Sequence, residues 1–397
     1  MFKPGNTPAS GLSGVRNNGK FGNPSFIQNR NLAIPLSDTL PNALTSPSES
    51  KVKNPFVGDS FEELPSPKNE SDIIVEDLED ERMRQNLDAR KKRRLGVSFG
   101  TPKVQYSVAN CSSPSRFHVP EPEDRDGLRI FMNSVVPEGV TFRCTIIREK
   151  KGFIKTKNTF FLYSEMTKSF LCGAQERSGQ TSTNIVFSVD KQDISRDSEY
   201  FLGKLRRHLF SKNFVLYDDG ENPETMRKVH AKLRKSPQEI HNIIEAEART
   251  ELGLFCYTRS ANKGIMSSPE PVANEIFLPN SRLFRPTHDI TDESMGQSLY
   301  QFWDDRKNGR QVNESQCMHF VTREPIWNAE YHAFSLDFKG RVSEGSVKNF
   351  QLVSANNPTG NSILQFGKTS SDSFVLDFGY PFTPMQAFGL ATSVFYV

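Results

Sequence analysis

Pro384-Met-Gln-Ala-Phe-Gly-Leu-Ala-Thr-Ser-Val-Phe-Tyr-Val397 has almost no polar face. Pro384 suits the first turn of a helix, where its missing N–H leaves no bond unmade. Met385, Ala387, Phe388, Leu390, Ala391, Val394, Phe395 and Val397 then fall on every side of the helical wheel. A helix apolar all round has to be buried all round. A bilayer span needs about 20 apolar residues, so this segment is too short to cross one and belongs at the centre of a core. A terminal strand is the alternative, because Ser393-Val-Phe-Tyr-Val397 is β-prone.

A core that surrounds such a helix has to come from the preceding sequence, and that sequence reads as short strands. Val140-Thr-Phe-Arg-Cys-Thr-Ile-Ile147 places Val140, Phe142, Cys144 and Ile146 on one face, with Thr141, Arg143 and Thr145 on the other. Similar runs occupy 159–163, 169–173, 184–189, 213–217, 252–257, 275–278, 317–321, 333–338, 349–353, 363–366 and 374–378. Turn signals such as Asp219-Gly220, Lys339-Gly340 and Asn357-Pro358 separate them. About twelve strands at this spacing predict an antiparallel sandwich or barrel. Two more helical stretches are expected: a short basic one at 199–210 and a long polar one at 223–250, interrupted at Pro237.

The first third of the chain is different. Of 24 prolines, 13 lie between Pro4 and Pro122. That segment buries too little apolar area to offset the entropy of ordering it, so residues 1–122 are expected to be disordered and 123–397 to form the folded domain. One island interrupts the tail. Residues 71–94, from Ser71 to Arg94, contain no Pro or Gly. They begin apolar and acidic (Ile73, Ile74, Val75, Leu78) and end in Arg90-Lys91-Lys92-Arg93-Arg94, a charge order that matches a helix dipole.

Chemistry is sparse. Fifty Lys and Arg against 47 Asp and Glu leave a net charge of +3, too small to mark a strongly basic nucleic-acid binder. No run approaches the length of a spanning helix, and Met1-Phe-Lys-Pro-Gly-Asn6 opens without the apolar region of a secretory signal. Five separated cysteines without a CxxC point to a reducing cytosolic setting, not to zinc or disulfides. Cys144, Cys172 and Cys256 sit inside strands as small buried hydrophobes, and Trp303 and Trp327 are expected in the core. Phe366-Gly-Lys-Thr-Ser370 is not a phosphate loop, because Ser362 stands where that motif needs Gly. With no recognisable nucleophile, base or metal set, no enzyme, cofactor or metal site is expected. The basic residues carry more information. Gly203-Lys-Leu-Arg-Arg-His208 concentrates cations, and Arg249 opens the strand after the polar insert. This reads either as a solvated face or as a phosphate cradle, with Arg as a forked donor and Lys as a point charge.

Several blocks, in order, resemble the tubby C-terminal domain. They include Phe187-Ser-Val-Asp190, Tyr200-Phe-Leu-Gly-Lys-Leu-Arg206, Asn213-Phe-Val-Leu-Tyr-Asp-Asp-Gly220, Arg249-Thr-Glu-Leu252 and Pro325-Ile-Trp-Asn328. The longest runs from Phe338-Lys-Gly-Arg-Val342 through Ser346-Val-Lys-Asn-Phe-Gln351 into Leu364-Gln-Phe-Gly-Lys368. The resemblance covers 139–397. It implies a closed twelve-stranded antiparallel barrel around a buried hydrophobic C-terminal α-helix. It also implies binding of phosphatidylinositol 4,5-bisphosphate in the cytoplasmic leaflet through Lys204, Arg206, Arg249 and Asn184.

Two basic segments of the family pattern are thinner here. Gln175–Ser182 keeps only Arg177, and the stretch before the next strand keeps only Lys263. The insert carries Arg227, Lys228, Lys232, Arg234 and Lys235 instead. For the tail, the resemblance implies a helix at Ser71–Arg94 that engages the intraflagellar transport complex; Arg90–Arg94 also resembles a nuclear-localisation run. The expectation is a monomeric, phosphoinositide-binding, membrane-tethered adaptor. It would be cytoplasmic and peripheral on the plasma membrane, and would traffic membrane proteins to the cilium. The alternative is a transcription regulator released from the membrane to the nucleus.

Overall fold

Strand β1 (Thr141–Lys151) pairs with β2 (Lys157–Ser164) on one side and, across more than two hundred residues, with the last strand on the other. That long-range pair closes a barrel. Its remaining strands are β3 (Phe170–Glu176), β4 (Asn184–Ser188), β5 (Phe201–Arg207), β6 (Phe214–Tyr217), β7 (Glu251–Thr258), β8 (Ala273–Pro279), β9 (Cys317–Thr322), β12 (Phe350–Ser354), β13 (Leu364–Ser370) and β14 (Ser373–Gly379). All twelve pair antiparallel, in the cyclic order β1-β14-β13-β12-β9-β8-β7-β6-β5-β4-β3-β2. The structure is a computed structural model. It describes residues 117–152, 157–177, 183–207, 211–258, 273–280, 284, 286, 297–328 and 333–397. The expected helix at 71–94 and the basic run at 90–94 lie outside the described residues. The packed core reaches back before residue 123: Val119 is buried, and the Phe117 ring sits 4.9 Å from Phe131.

The twelve barrel strands are not quite the twelve expected from sequence. Residues 333–338 contribute only β11 (Ala333–Ser335), which pairs with β10 (Ile326–Asn328) in a separate two-stranded sheet. Their place is taken by β5, which the sequence reading assigns to a helix at 199–210. Its cations obscure the period. Leu205 points into the core beside Ile185 and Leu216, while Lys204 and Arg206 alternate onto the outer wall. A ladder partner on each side, β4 and β6, outweighs any helical preference of so short a run.

The terminal helix is where its composition requires. Counting helices from α1 (Arg125–Met132), the insert forms α2 (Pro223–Lys232) and α3 (Pro237–Glu247). Helix α4 (Leu299–Lys307) covers the outer wall, and α5 (Pro384–Ser393) fills the barrel. Every residue of α5 is buried. Thr383 and Gln386 close its N-terminus with a capping box. Its few polar side chains are satisfied internally: Gln386 Nε2 donates to the Leu252 carbonyl (2.9 Å), Thr392 Oγ1 to Gly389 O (2.9 Å), and Ser393 is hydrogen-bonded to the Tyr257 hydroxyl. Phe388 meets Phe187 edge-on at 5.7 Å. At its C-terminal end, Lys348 Nζ donates to Val394 O (2.8 Å), a cation placed where the helix dipole is negative. Beyond the helix proper, Phe395 is only half-buried, under the Arg148 guanidinium at 5.1 Å.

The longest block of family resemblance has a structural role. Arg341 grips buried Asp377 with two hydrogen bonds (2.8 and 2.6 Å) and reaches Glu165 at 2.7 Å. This triad holds the loop after β11 against β14. Cys144, Cys172 and Cys256 are buried free thiols, as the strand pattern requires.

Candidate functional site

The outer wall of β4, β5 and β6 carries the residues singled out from sequence. Because a strand alternates, Lys204 and Arg206 point the same way, about 7 Å apart along β5. Asn184 of β4 stands opposite Arg206, and Tyr217 of β6 opposite Lys204. The turn after β6 then leaves the barrel for the α2–α3 hairpin and returns at Ala248-Arg249. A parallel bridge between Glu221 and Ala248 closes the base of that excursion, and the Arg249 N–H donates to Glu221 O at 2.8 Å. This brings Arg249 back to the wall, where its guanidinium lies 4.4 Å from the Tyr217 ring centroid. All four sequence-selected residues therefore converge on one patch.

Gly220 makes the clamp possible. A Cβ there would lie 2.3 Å from the Arg249 Cα, closer than packed atoms approach. Gly220→Ala should therefore open the base of the hairpin and displace Arg249. The expected result is a displaced Arg249 with the barrel's cooperative unfolding retained, read by thermal melting alongside quenching or chemical-shift change at Tyr217.

The electrostatics of the patch are unusual. Lys204 is only 6% exposed, and its ammonium is pushed down from 10.5 to about 6. Burial is the largest cause, followed by the positive charges of Arg249, Arg196 and Arg206; Glu221 opposes them weakly. Glu221 is itself paired with Arg196 at 3.0 Å. Of the nine buried side-chain polar atoms without a hydrogen-bond partner among the described residues, two belong to the patch: the Arg249 Nε donor and the Asn184 Oδ1 acceptor. Such orphans are rare in folded proteins. Negative oxygens brought against the patch would stabilise the Lys204 ammonium.

Beneath the patch, Glu251 is buried on β7, and its Oε2 accepts the Leu299 N–H at the start of α4 (2.7 Å). Burial pushes its carboxyl up to about 7, against the hydrogen bond and the nearby Arg249. Arg196 is the one site cation that the sequence does not reveal. It lies in the β4–β5 connection, where no period or motif marks it. Tyr217 is legible as a strand residue, but its role as the shelf under Arg249 depends on the return of the insert. Arg177 ends the described stretch after β3, and Lys263 lies outside the described residues.

Comparison with known proteins agrees with this architecture. The chain is 32% identical over 276 residues to human Tubby-related protein 3, covering 68% of this chain and 57% of the relative. It is 30% identical over 271 residues to Protein king tubby of Drosophila virilis, covering 67% and 53%. Human Tubby-related protein 1 is 29% identical over 276 residues, covering 69% and 46%. The matched part thus spans about half the length of these curated relatives. The pattern of the Tub family matches residues 132–396, most of the chain and every strand of the barrel with its central helix, so the chain belongs to the Tub family.

Proposed function

We propose that the β4–β6 wall is a phosphoinositide headgroup site that tethers the protein to a membrane, with phosphatidylinositol 4,5-bisphosphate as its ligand. The observation that carries this reading is Lys204, a buried ammonium crowded by three arginines whose nearby acid, Glu221, is already paired. Such a site is short of negative charge. Adjacent phosphates on an inositol ring need donors converging from different segments. Lys204 and Arg206 offer them from β5, Arg249 from the hairpin base, and Asn184 faces a ring hydroxyl or phosphate. The protein then acts at the cytoplasmic face of the plasma membrane as an adaptor. In this reading Ser71–Arg94 engages the intraflagellar transport complex, for delivery of membrane proteins to the cilium.

Co-sedimentation of the full chain with phosphatidylcholine vesicles containing phosphatidylinositol 4,5-bisphosphate tests the site. A charge-assisted hydrogen bond contributes about 1.5–3 kcal/mol. Lys204→Ala with Arg206→Ala should therefore weaken binding by roughly two orders of magnitude or more. Sedimentation of the double variant at the wild-type level would remove the assignment.

A further inference from the structure

The α2–α3 hairpin is attached to the headgroup site at one end only. At the other end it presents Lys232-Leu-Arg-Lys235. Leu233 is 40% exposed, one of few large apolar side chains left open among the described residues. Arg234 beside it is exposed and sits at φ 54°, the left-handed conformation that usually selects glycine at a helix end. An arginine held there is locally unfavourable, and such positions point to a use elsewhere. The charges are also segregated. From Pro223 to Lys235 the hairpin has five cations against one carboxylate, Glu224, whereas α3 has three glutamates and no Lys or Arg. The hairpin carries its own small core of Met226, Ile240, Ile244 and Ala248, separate from the barrel core. Eleven residues of α3 at about 1.5 Å each place the tip roughly 16 Å from the clamp at Arg249.

We propose that this tip is a second membrane contact, in which Leu233 enters the headgroup layer while Arg234 and Lys235 meet anionic lipid. The occupant is the surface of an anionic bilayer. Charge complementarity selects it, together with the exposed leucine framed by cations, an arrangement that suits an interface of apolar chains below and phosphates above. The proposal rests on the phosphoinositide reading of the neighbouring site and extends it. The pocket chooses the headgroup, and the tip supplies attraction to any anionic leaflet, which the thinned basic segments elsewhere in this chain provide less of.

The test uses the full chain and a triple variant, Leu233→Ser, Arg234→Gly, Lys235→Gln. Glycine suits the left-handed position, so folding should be preserved. Two probes separate the sites: soluble inositol trisphosphate for the pocket, and phosphatidylcholine–phosphatidylserine vesicles without phosphoinositide for the tip. The triple variant should lose about tenfold or more in phosphatidylserine-vesicle binding, since each surface charge contributes roughly fivefold. Its affinity for the soluble headgroup should match the wild type. Leu233→Trp should give a blue-shifted emission on those vesicles. Equal vesicle binding by variant and wild type, or no emission shift, would overturn the proposal and leave the hairpin a solvent-facing or protein-facing element. Loss of both probes together would also overturn it, because the hairpin would then act only by holding Arg249. A wild type that ignores the soluble headgroup but needs the tip for vesicle binding would remove the pocket reading while the tip assignment stands.

Discussion

Phe388→Ala should cost about 3–5 kcal/mol, the range for a buried aromatic, measured by chemical unfolding of the barrel. Phe388 is fully buried, and strands enclose it on all sides. The barrel wall cannot relax into the hole, because its circumference is set by the closed hydrogen-bond ladder. A domain's stability is usually about 5–15 kcal/mol, so this one truncation removes a large share of it. Deleting residues 384–397 should be worse: twelve strands would be left around an apolar void, and the expected product is insoluble or molten. Gly389 sharpens the test from the other direction. A Cβ there would sit 3.1 Å from both methyls of Leu216, so Gly389→Leu should overpack, at a cost of about 1–3 kcal/mol. Phe395→Ala should cost less than Phe388→Ala, because Phe395 is only half-buried. A soluble Δ384–397 variant that unfolds cooperatively would show that the wall does not need its filling.

The parts of this fold legible in sequence are those with a single physical demand on them. Helix α5 is one: apolar on every side, it can only be enclosed. The strands with one face in the core and one outside are others, and β1 shows why, with Phe142, Cys144 and Ile146 inward and Arg143 and Thr145 outward. Legibility fails at β5. There Lys204 is buried on the outer wall, so both faces are covered and the charges break the apolar pattern that alternation relies on. Local rules tend to fail where residues answer to function instead of folding, and β5 is the strand that holds the candidate site. Lys204, Arg206 and Arg249 stood out in the sequence as clustered cations, whereas Asn184 came from the resemblance alone, and periodicity marked none of them. What neither supplied was the geometry: that the insert folds back through Gly220 and Ala248 to return Arg249 to Tyr217, and that Arg196 joins from a patternless loop.

Burial of Lys204 carries its own expected result: the site residue opposes folding, and replacing it with Met should stabilise the protein while weakening headgroup binding about tenfold or more. The unfolded chain holds this ammonium up to about pH 10.5, whereas the folded chain releases it near pH 6. Between those values the unfolded state binds about one more proton, so stability from this group rises with pH, by up to ~1.4 kcal/mol per unit. Below about pH 6 both states are protonated and the burial cost is fully expressed. Lys204→Met should therefore be more stable than wild type by a few kcal/mol near pH 6, with the advantage fading as pH approaches 10. Urea unfolding of both proteins across that range measures the difference, and the contributions of other titrating groups cancel in it. An anionic headgroup restores the ammonium, so binding at pH 7 should take up close to one proton. Calorimetry in two buffers of different ionisation heat reads that uptake, and subtracting the Lys204→Met value removes the headgroup's own titration. Parallel pH profiles for the two proteins would mean that the ammonium is solvated in place, and that the crowding by Arg249, Arg196 and Arg206 does not set its charge.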